Sequence, residues 1–253
     1  KKTESSVSVS AHGRDQLTEA FRILRTNISF MALNNIPPQV ISITSSNIGA
    51  GKTFNALNLS ATLSYLNKSV LMLDLDLRKG TLSNRSKVVV NKGISHYLAN
   101  HKVSLDEIIY KTDIGENIDI IPIGMIAPNP VELLITNSLD ELITELRGKY
   151  DYIVIDSVPV EIIADAYIID RVSDLTIFVI RSGKMDKRQL PEIESIYTST
   201  KLSNMAVLLN GISTNSQGYG YGYGYGYGYG YTYGYELEKN EGILGKIKSI
   251  FKK

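Results

Sequence analysis

The 253-residue sequence predicts an α/β domain: a doubly wound, mostly parallel sheet with helices on both faces. Three observations carry that prediction. Short, almost wholly apolar runs alternate with segments of helical period, a glycine-rich turn joins the first such run to a helix, and acidic residues close two of the runs.

Taken in order, residues 1–14 are polar and read as a flexible lead segment. From Gln16 to about Leu33, Leu17, Phe21, Leu24, Ile28 and Met31 recur at three- and four-residue steps, one apolar helix face, and Pro37-Pro38 ends it. Val40–Thr44 is a strand, followed by a turn and a helix from Lys52 to about Leu66. Ser69–Asp74, Ile118–Pro122, Tyr152–Asp156, Leu175–Ile180 and Ala206–Asn210 are apolar enough to be strands buried on both faces. Helical patterns lie between them over Ser138–Lys149, Glu161–Arg171 and Lys187–Lys201. One domain is therefore expected over residues 15–211.

Residues 212–235 form a Tyr-Gly tail, within which 218–235 differ in kind. Tyrosine stands at every odd position of the repeat (Tyr219, Tyr221, Tyr223, Tyr225, Tyr227, Tyr229, Tyr231, Tyr233 and Tyr235) with glycine in nearly every gap. A stretch without aliphatic residues cannot bury enough surface to offset the entropy of ordering, so it reads as a tail. Residues 236–253 form a basic amphipathic segment. Ile243, Leu244, Ile247, Ile250 and Phe251 share one face, with Lys246, Lys248, Lys252 and Lys253 beside them. Such a face suits either an anionic bilayer or packing on protein.

The sharpest local signal is Ser46-Asn47-Ile48-Gly49-Ala50-Gly51-Lys52-Thr53, between a strand and a helix. It fits the phosphate-loop pattern except that serine replaces the first glycine. Gly49 and Gly51 let the backbone curl so that successive N–H groups face an anion, and the following helix points its positive end the same way. Lys52 supplies a charge to the β- and γ-phosphates of ATP, and Thr53 offers a hydroxyl to Mg²⁺. Asn47, Ile48, Ala50 and Phe54 complete the expected nucleotide cradle. The bland alternative is a glycine-rich turn capping a helix.

Further acidic residues stand where this fold gathers its ligands, at the carboxyl ends of parallel strands. Asp156 closes one strand and reads as a Mg²⁺ carboxylate; Asp74 and Asp76 follow another, with Arg78 two residues on. Alternate residues of an extended segment point to one side, so Asp74, Asp76 and Arg78 are expected to converge.

The bulk numbers exclude other classes. With 27 basic and 26 acidic residues the net charge is +1, which offers no field for nucleic acid. The absence of cysteine removes disulfides and thiolate metal sites, and His12, His96 and His101 lack a metal-ligand spacing. No apolar run reaches the ~18 residues of a membrane span, and no signal peptide opens the chain. Beginning at Lys1 instead of methionine, it reads as a piece of a longer protein.

Several motifs together resemble the bacterial tyrosine kinases that act as polysaccharide co-polymerase autokinases. These are Asp74-Leu-Asp-Leu-Arg78 after its strand, Asp156-Ser-Val-Pro159, Pro128–Leu134, the E-x-x-R-x-x-R helix Glu19–Arg25, and the terminal tyrosine cluster. The match spans about residues 15–235; Ile48 and Val158 stand where the family carries proline. The resemblance implies that Lys52 and Thr53 hold ATP and Mg²⁺, that Asp76 and Asp156 manage the metal, and that Asp74 orients or deprotonates the incoming tyrosine. It gives Asn210 a resemblance to an asparagine that reads adenine, and it makes Glu19, Arg22 and Arg25 a contact between subunits of a ring. It implies phosphorylation of the protein's own or a neighbour's tail, a transmembrane region upstream or a membrane adaptor, a cognate phosphatase, and a place on the cytoplasmic side of the bacterial plasma membrane. Alternatives are a partitioning or division-site ATPase switch, against which Asn47 stands where those proteins carry lysine, and a regulator with a vestigial site. The Tyr-Gly run could also be an aromatic sticker.

Overall fold

The computed structural model describes residues 7–32, 35–99, 102–160 and 165–212. The tyrosine tail, the basic segment beyond it and His101 lie outside the described residues.

The chain begins with helix α1 (Gln16–Phe30), capped by Asp15, whose carboxylate accepts from the Thr18 N–H at 3.0 Å. Strand β1 (Val40–Ser45) runs through the phosphate loop into α2 (Lys52–Ser64), then β2 (Val70–Asp74). Two short helices follow, α3 (Thr81–Ser86) and α4 (Ile94–Ala99), then β3 (Tyr110–Lys111) and β4 (Ile118–Ile121). The second half runs α5 (Pro130–Leu134), α6 (Asn137–Arg147), β5 (Tyr152–Asp156), α7 (Asp165–Asp170), β6 (Leu175–Arg181), α8 (Leu190–Thr198) and β7 (Met205–Asn210).

Among the described residues these strands form one seven-stranded sheet in the order β3-β4-β2-β5-β1-β6-β7, parallel except for β3. Alternation along each strand sorts its side chains between two layers. Leu71, Leu73, Ile153 and Ile155 face α4, α6 and α7, whereas Val70, Met72, Val154, Ile41 and Ile43 face α1 and α2. A third cluster packs Phe178 and Ile180 under Ile193 and Ile196 of α8. Because α2 lies between the sheet and α1, every residue from Asn55 to Ser64 is buried.

Several expectations need adjusting. Residues 7–14 are held, not loose: Val9 is buried, Asn58 Oδ1 of α2 accepts from the N–H groups of Ser8 (2.8 Å) and Val9 (3.1 Å), and the Tyr65 hydroxyl donates to the Val9 carbonyl. The pattern over Lys187–Lys201 is split into a 3₁₀ turn (Lys187–Gln189) and α8, where Pro191 sits in the first turn, the one place its missing N–H is harmless. The short α3 and α4 and the two-residue antiparallel β3 are too brief to show a period in sequence.

Candidate active site

The sheet order explains how distant residues meet. With β5 between β1 and β2, the loop leaving β1 lies beside Asp156 at the end of β5, which is in register with Asp74 at the end of β2. Asp76 lies two residues past Asp74, and Lys52 opens α2 above them. Lys52, Thr53, Asp74, Asp76 and Asp156 are thus gathered at the carboxyl edge of the three central strands.

The loop requires its glycines. Gly49 has φ +79° and Gly51 φ +107°, and a Cβ on Gly51 would stand 2.2 Å from Asn210 Nδ2. The Thr53 hydroxyl donates to Asp156 Oδ2 at 2.6 Å, and Lys52 Nζ lies 3.4 Å from Ser45 Oγ. Asp156 Oδ1 and the Ser157 hydroxyl are buried without a hydrogen-bond partner. Burial pushes the carboxyls of Asp156, Asp74 and Asp76 above their ordinary values, and it pulls Lys52 below its own despite the opposing charges of Asp156 and Asp76. Three carboxyls against Lys52, with Lys79 acting on it from the surface, leave the buried part of the site short of positive charge.

Those observations fit Mg²⁺ with a nucleotide. Among the described residues no cluster of three or more histidines or carboxylates encloses a metal. A Mg²⁺ here would draw on the Thr53 hydroxyl, the open Asp156 oxygen, waters and the nucleotide phosphates, the sparse protein ligation this ion favours.

Other predicted residues are placed differently. Asp74 is fully buried with its oxygens engaged: Oδ1 accepts from the Asp76 N–H at 3.1 Å, and Oδ2 from the Ser83 N–H and hydroxyl at 2.8 and 2.7 Å. Arg78 does not converge with Asp74 and Asp76, because its guanidinium pairs with the buried Asp165 at 3.3 Å. The Phe54 ring stacks edge-on against Phe21, centroids 6.1 Å apart, so only its backbone can face the loop. Asn47 Nδ2 donates to Gln189 Oε1 at 3.1 Å; Ile48 is exposed and Ala50 buried. Asn210 Nδ2 donates to the Ala50 carbonyl at 2.8 Å.

On α1, Glu19 and Arg22 pair with each other, and Arg22 also donates to the Ala11 carbonyl at 2.8 Å. Arg25 Nη1 donates to the Thr62 carbonyl at 2.9 Å, a cation on the last turn of α2. The sequence offered no sign of Ser83, Asp165 or Arg181 as partners; each meets its contact through the fold. A cleft of about 490 Å³ at the opposite edge of the sheet is open and lined by residues such as Gln39, Lys68 and Tyr152, with Lys68 already paired to Asp151.

A sequence-family profile described as an AAA domain matches residues 38–209. Tyrosine-protein kinase YwqD of Bacillus subtilis is 33% identical over 194 residues, 77% of this chain and 81% of that protein. The chain belongs to the bacterial tyrosine-protein kinase family. This kinase superposes on the kinase domain of Escherichia coli tyrosine kinase ETK with a TM-score of 0.73 at 30% identity, covering 83% of this chain and 82% of that one. The septum site-determining protein MinD of Pyrococcus horikoshii, complexed with Mg-ADP, scores 0.56 at 31% identity over 67% of this chain and 68% of that one. Longer tyrosine-protein kinases of Klebsiella pneumoniae and Salmonella also match, and the chain spans 28% of their length. Among the described residues no helix of the kinase is long and apolar enough to cross a membrane.

Proposed function

We propose that this kinase binds ATP and Mg²⁺ at Lys52, Thr53, Asp76 and Asp156 and transfers phosphate to the tyrosine cluster between Tyr219 and Tyr235 of a neighbouring copy. The observation that carries the reading is the Thr53–Asp156 contact with its unpartnered Oδ1, set beside Lys52 at the mouth of the loop. Bound Mg²⁺ would neutralise charge on the transferring phosphoryl group. A phenol of pKa near ~10 needs modest base assistance, so positioning and charge neutralisation supply most of the acceleration. Asp74 is the carboxylate assigned to the acceptor hydroxyl, and engaging it requires the Asp74–Ser83 contacts to open. Asn210 reads adenine through the oxygen of its amide.

The tail continues from Gly211 and Ile212, directly after β7, on the edge of the sheet that carries the phosphate loop. A random-coil stretch of ~15 residues would span ~20–25 Å root-mean-square, enough to reach an adjacent site. In this reading Glu19, Arg22 and Arg25 contribute to a ring of subunits on the cytoplasmic side of the plasma membrane, held there by a transmembrane region or a membrane adaptor. The ring serves capsule or exopolysaccharide assembly and is reset by a cognate tyrosine phosphatase. Each phosphotyrosine adds roughly −1.5 to −2 charges, so heavy phosphorylation crowds the ring with negative tails and drives it apart. The test is mass spectrometry after incubation with ATP and Mg²⁺: phosphotyrosine accumulates on the wild type and not on Lys52→Met. Wild-type rates in that variant would overturn the assignment. A switch ATPase would hydrolyse ATP without modifying the tail.

A further inference from the structure

The carbonyl groups of the phosphate loop are held by side chains. Ser45 Oγ donates to the Asn47 carbonyl at 2.8 Å, Arg181 Nη1 to Gly49 at 3.0 Å, Asn210 Nδ2 to Ala50 at 2.8 Å, and Asn55 Nδ2 to Gly51 at 2.8 Å. In a planar trans peptide the C=O and the N–H that follows it point to opposite sides. Drawing the Gly49 carbonyl outward therefore turns the Ala50 N–H inward, and drawing the Ala50 carbonyl outward does the same for Gly51. The N–H groups of Asn47 through Gly51 donate to no group among the described residues. They are the donors an anion would take.

Two of the four anchors come from outside the loop and its flanking elements. Arg181 is the last residue of β6 and Asn210 the last of β7; the two are register partners, and the Ser182 N–H donates to the Asn210 carbonyl at 2.8 Å. The ends of two neighbouring strands thus reach back together over β1 and grip consecutive peptide planes. Glycine at position 51 is called for by its φ of +107°, and the Asn210 amide stands 2.2 Å from where a Cβ there would be. Only a gap of about 110 Å³ separates the loop from the β6 end, lined by Ile48, Val179, Arg181 and Met185.

We propose that Arg181 and Asn210 are positioning residues which brace the loop so that the Ala50 and Gly51 N–H groups face the phosphates before a nucleotide arrives. The proposal rests on the reading of this loop as a nucleotide-phosphate site. It gives Arg181 a part in the reaction and gives the Asn210 amide nitrogen a task separate from base recognition. The Arg181 bond lies at the surface, so losing it leaves the fold intact while the loop samples peptide orientations that turn donors away from the anion.

Calorimetry on the full chain tests this with two probes, Mg-ADP and Mg-pyrophosphate, the second having no base. Arg181→Ala should weaken both ligands by a similar factor, about five- to twentyfold for one lost orienting hydrogen bond, and Asn210→Ala should weaken Mg-pyrophosphate by that factor and Mg-ADP by at least as much. Arg181→Lys should recover part of the loss, and the melting temperature of Arg181→Ala should match the wild type. Unchanged pyrophosphate affinity in both alanine variants overturns the brace, as does a loss confined to Mg-ADP, which marks base recognition instead. An affinity loss that tracks a fallen melting temperature and resists lysine also overturns it, assigning Arg181 to the fold. Wild-type protein that binds neither probe overturns the nucleotide reading itself, a result distinguishable from failure of the brace.

Discussion

The Thr53 hydroxyl donates to Asp156 Oδ2 at 2.6 Å, joining the start of α2 to the end of β5 across 103 positions of sequence. This contact leaves Asp156 Oδ1 buried and unpartnered. Thr53→Val keeps the side-chain shape and deletes the hydroxyl. Calorimetry should show Mg-ATP affinity falling about tenfold, ~1.4 kcal/mol, with little change for ATP in chelator. An equal loss in both conditions would place Thr53 outside the metal site.

Asp74 and Asp156 are neighbours in register, yet their surroundings differ. Asp74 is closed by Ser83 and the Asp76 N–H. Asp74→Asn should keep Mg-ATP affinity within about threefold while autophosphorylation falls by ~10²-fold or more, the scale of a lost acid–base group. If ATP binding disappears with the carboxylate, Asp74 belongs to the metal instead. Ser83→Ala removes the hydroxyl that also accepts from the Ile123 N–H, so thermal unfolding should report a loss of about 1–3 kcal/mol.

The charged stripe of α1 separates into two roles. Glu19 and Arg22 pair at the surface, where an exposed ion pair contributes only ~0–1 kcal/mol to folding. Arg25 caps the last turn of α2 through the Thr62 carbonyl. Alanine at Glu19 and Arg22 should therefore leave the melting temperature nearly unchanged and yield monomers by light scattering. Arg25→Ala should also lower the melting temperature. An unchanged oligomer mass in the triple variant would remove this stripe from the subunit contact.

Acid should act on the fold through Asp174, at the entrance to β6. Burial alone would raise its carboxyl. The Arg147 guanidinium, at 2.7 and 2.8 Å, and the N–H groups of Gln39 and Val40 instead hold it below its ordinary value. A depressed folded-state pKa gives stability that is complete above the unfolded value near ~4 and is lost as pH falls through the folded one. Urea titrations should show Asp174→Asn less stable than wild type at pH 7, with the gap closing below pH ~4. A gap that persists unchanged at pH 3 would contradict the linkage.

Much of this was legible in the chain because it depends on local pattern. The core strands announced themselves as β-branched and leucine-rich runs, and the Gly49–Thr53 turn carried its chemistry in five consecutive residues. What escaped depended on the register of distant segments. Nothing near Arg78 in sequence marks Asp165, 87 positions away, as its partner, and Arg181 reaches Gly49 across 132. The lead segment looked loose because it is polar, yet a single buried valine and the side chain of Asn58 hold it to α2. The place of Phe54 in the motif suggests the nucleotide cradle, whereas its ring obeys the helix face and packs on Phe21.

The central claim is that one subunit phosphorylates the tail of another. Mixing two variants tests it directly: a donor with all nine tail tyrosines from Tyr219 to Tyr235 changed to phenylalanine, and an acceptor carrying Lys52→Met with its tail intact. Neither can modify itself at the tail. After incubation with ATP and Mg²⁺, mass spectrometry should find phosphotyrosine on the acceptor, at a rate that rises with donor concentration. An acceptor that stays unmodified, while wild-type protein alone modifies its tail at a rate independent of concentration, would contradict the account.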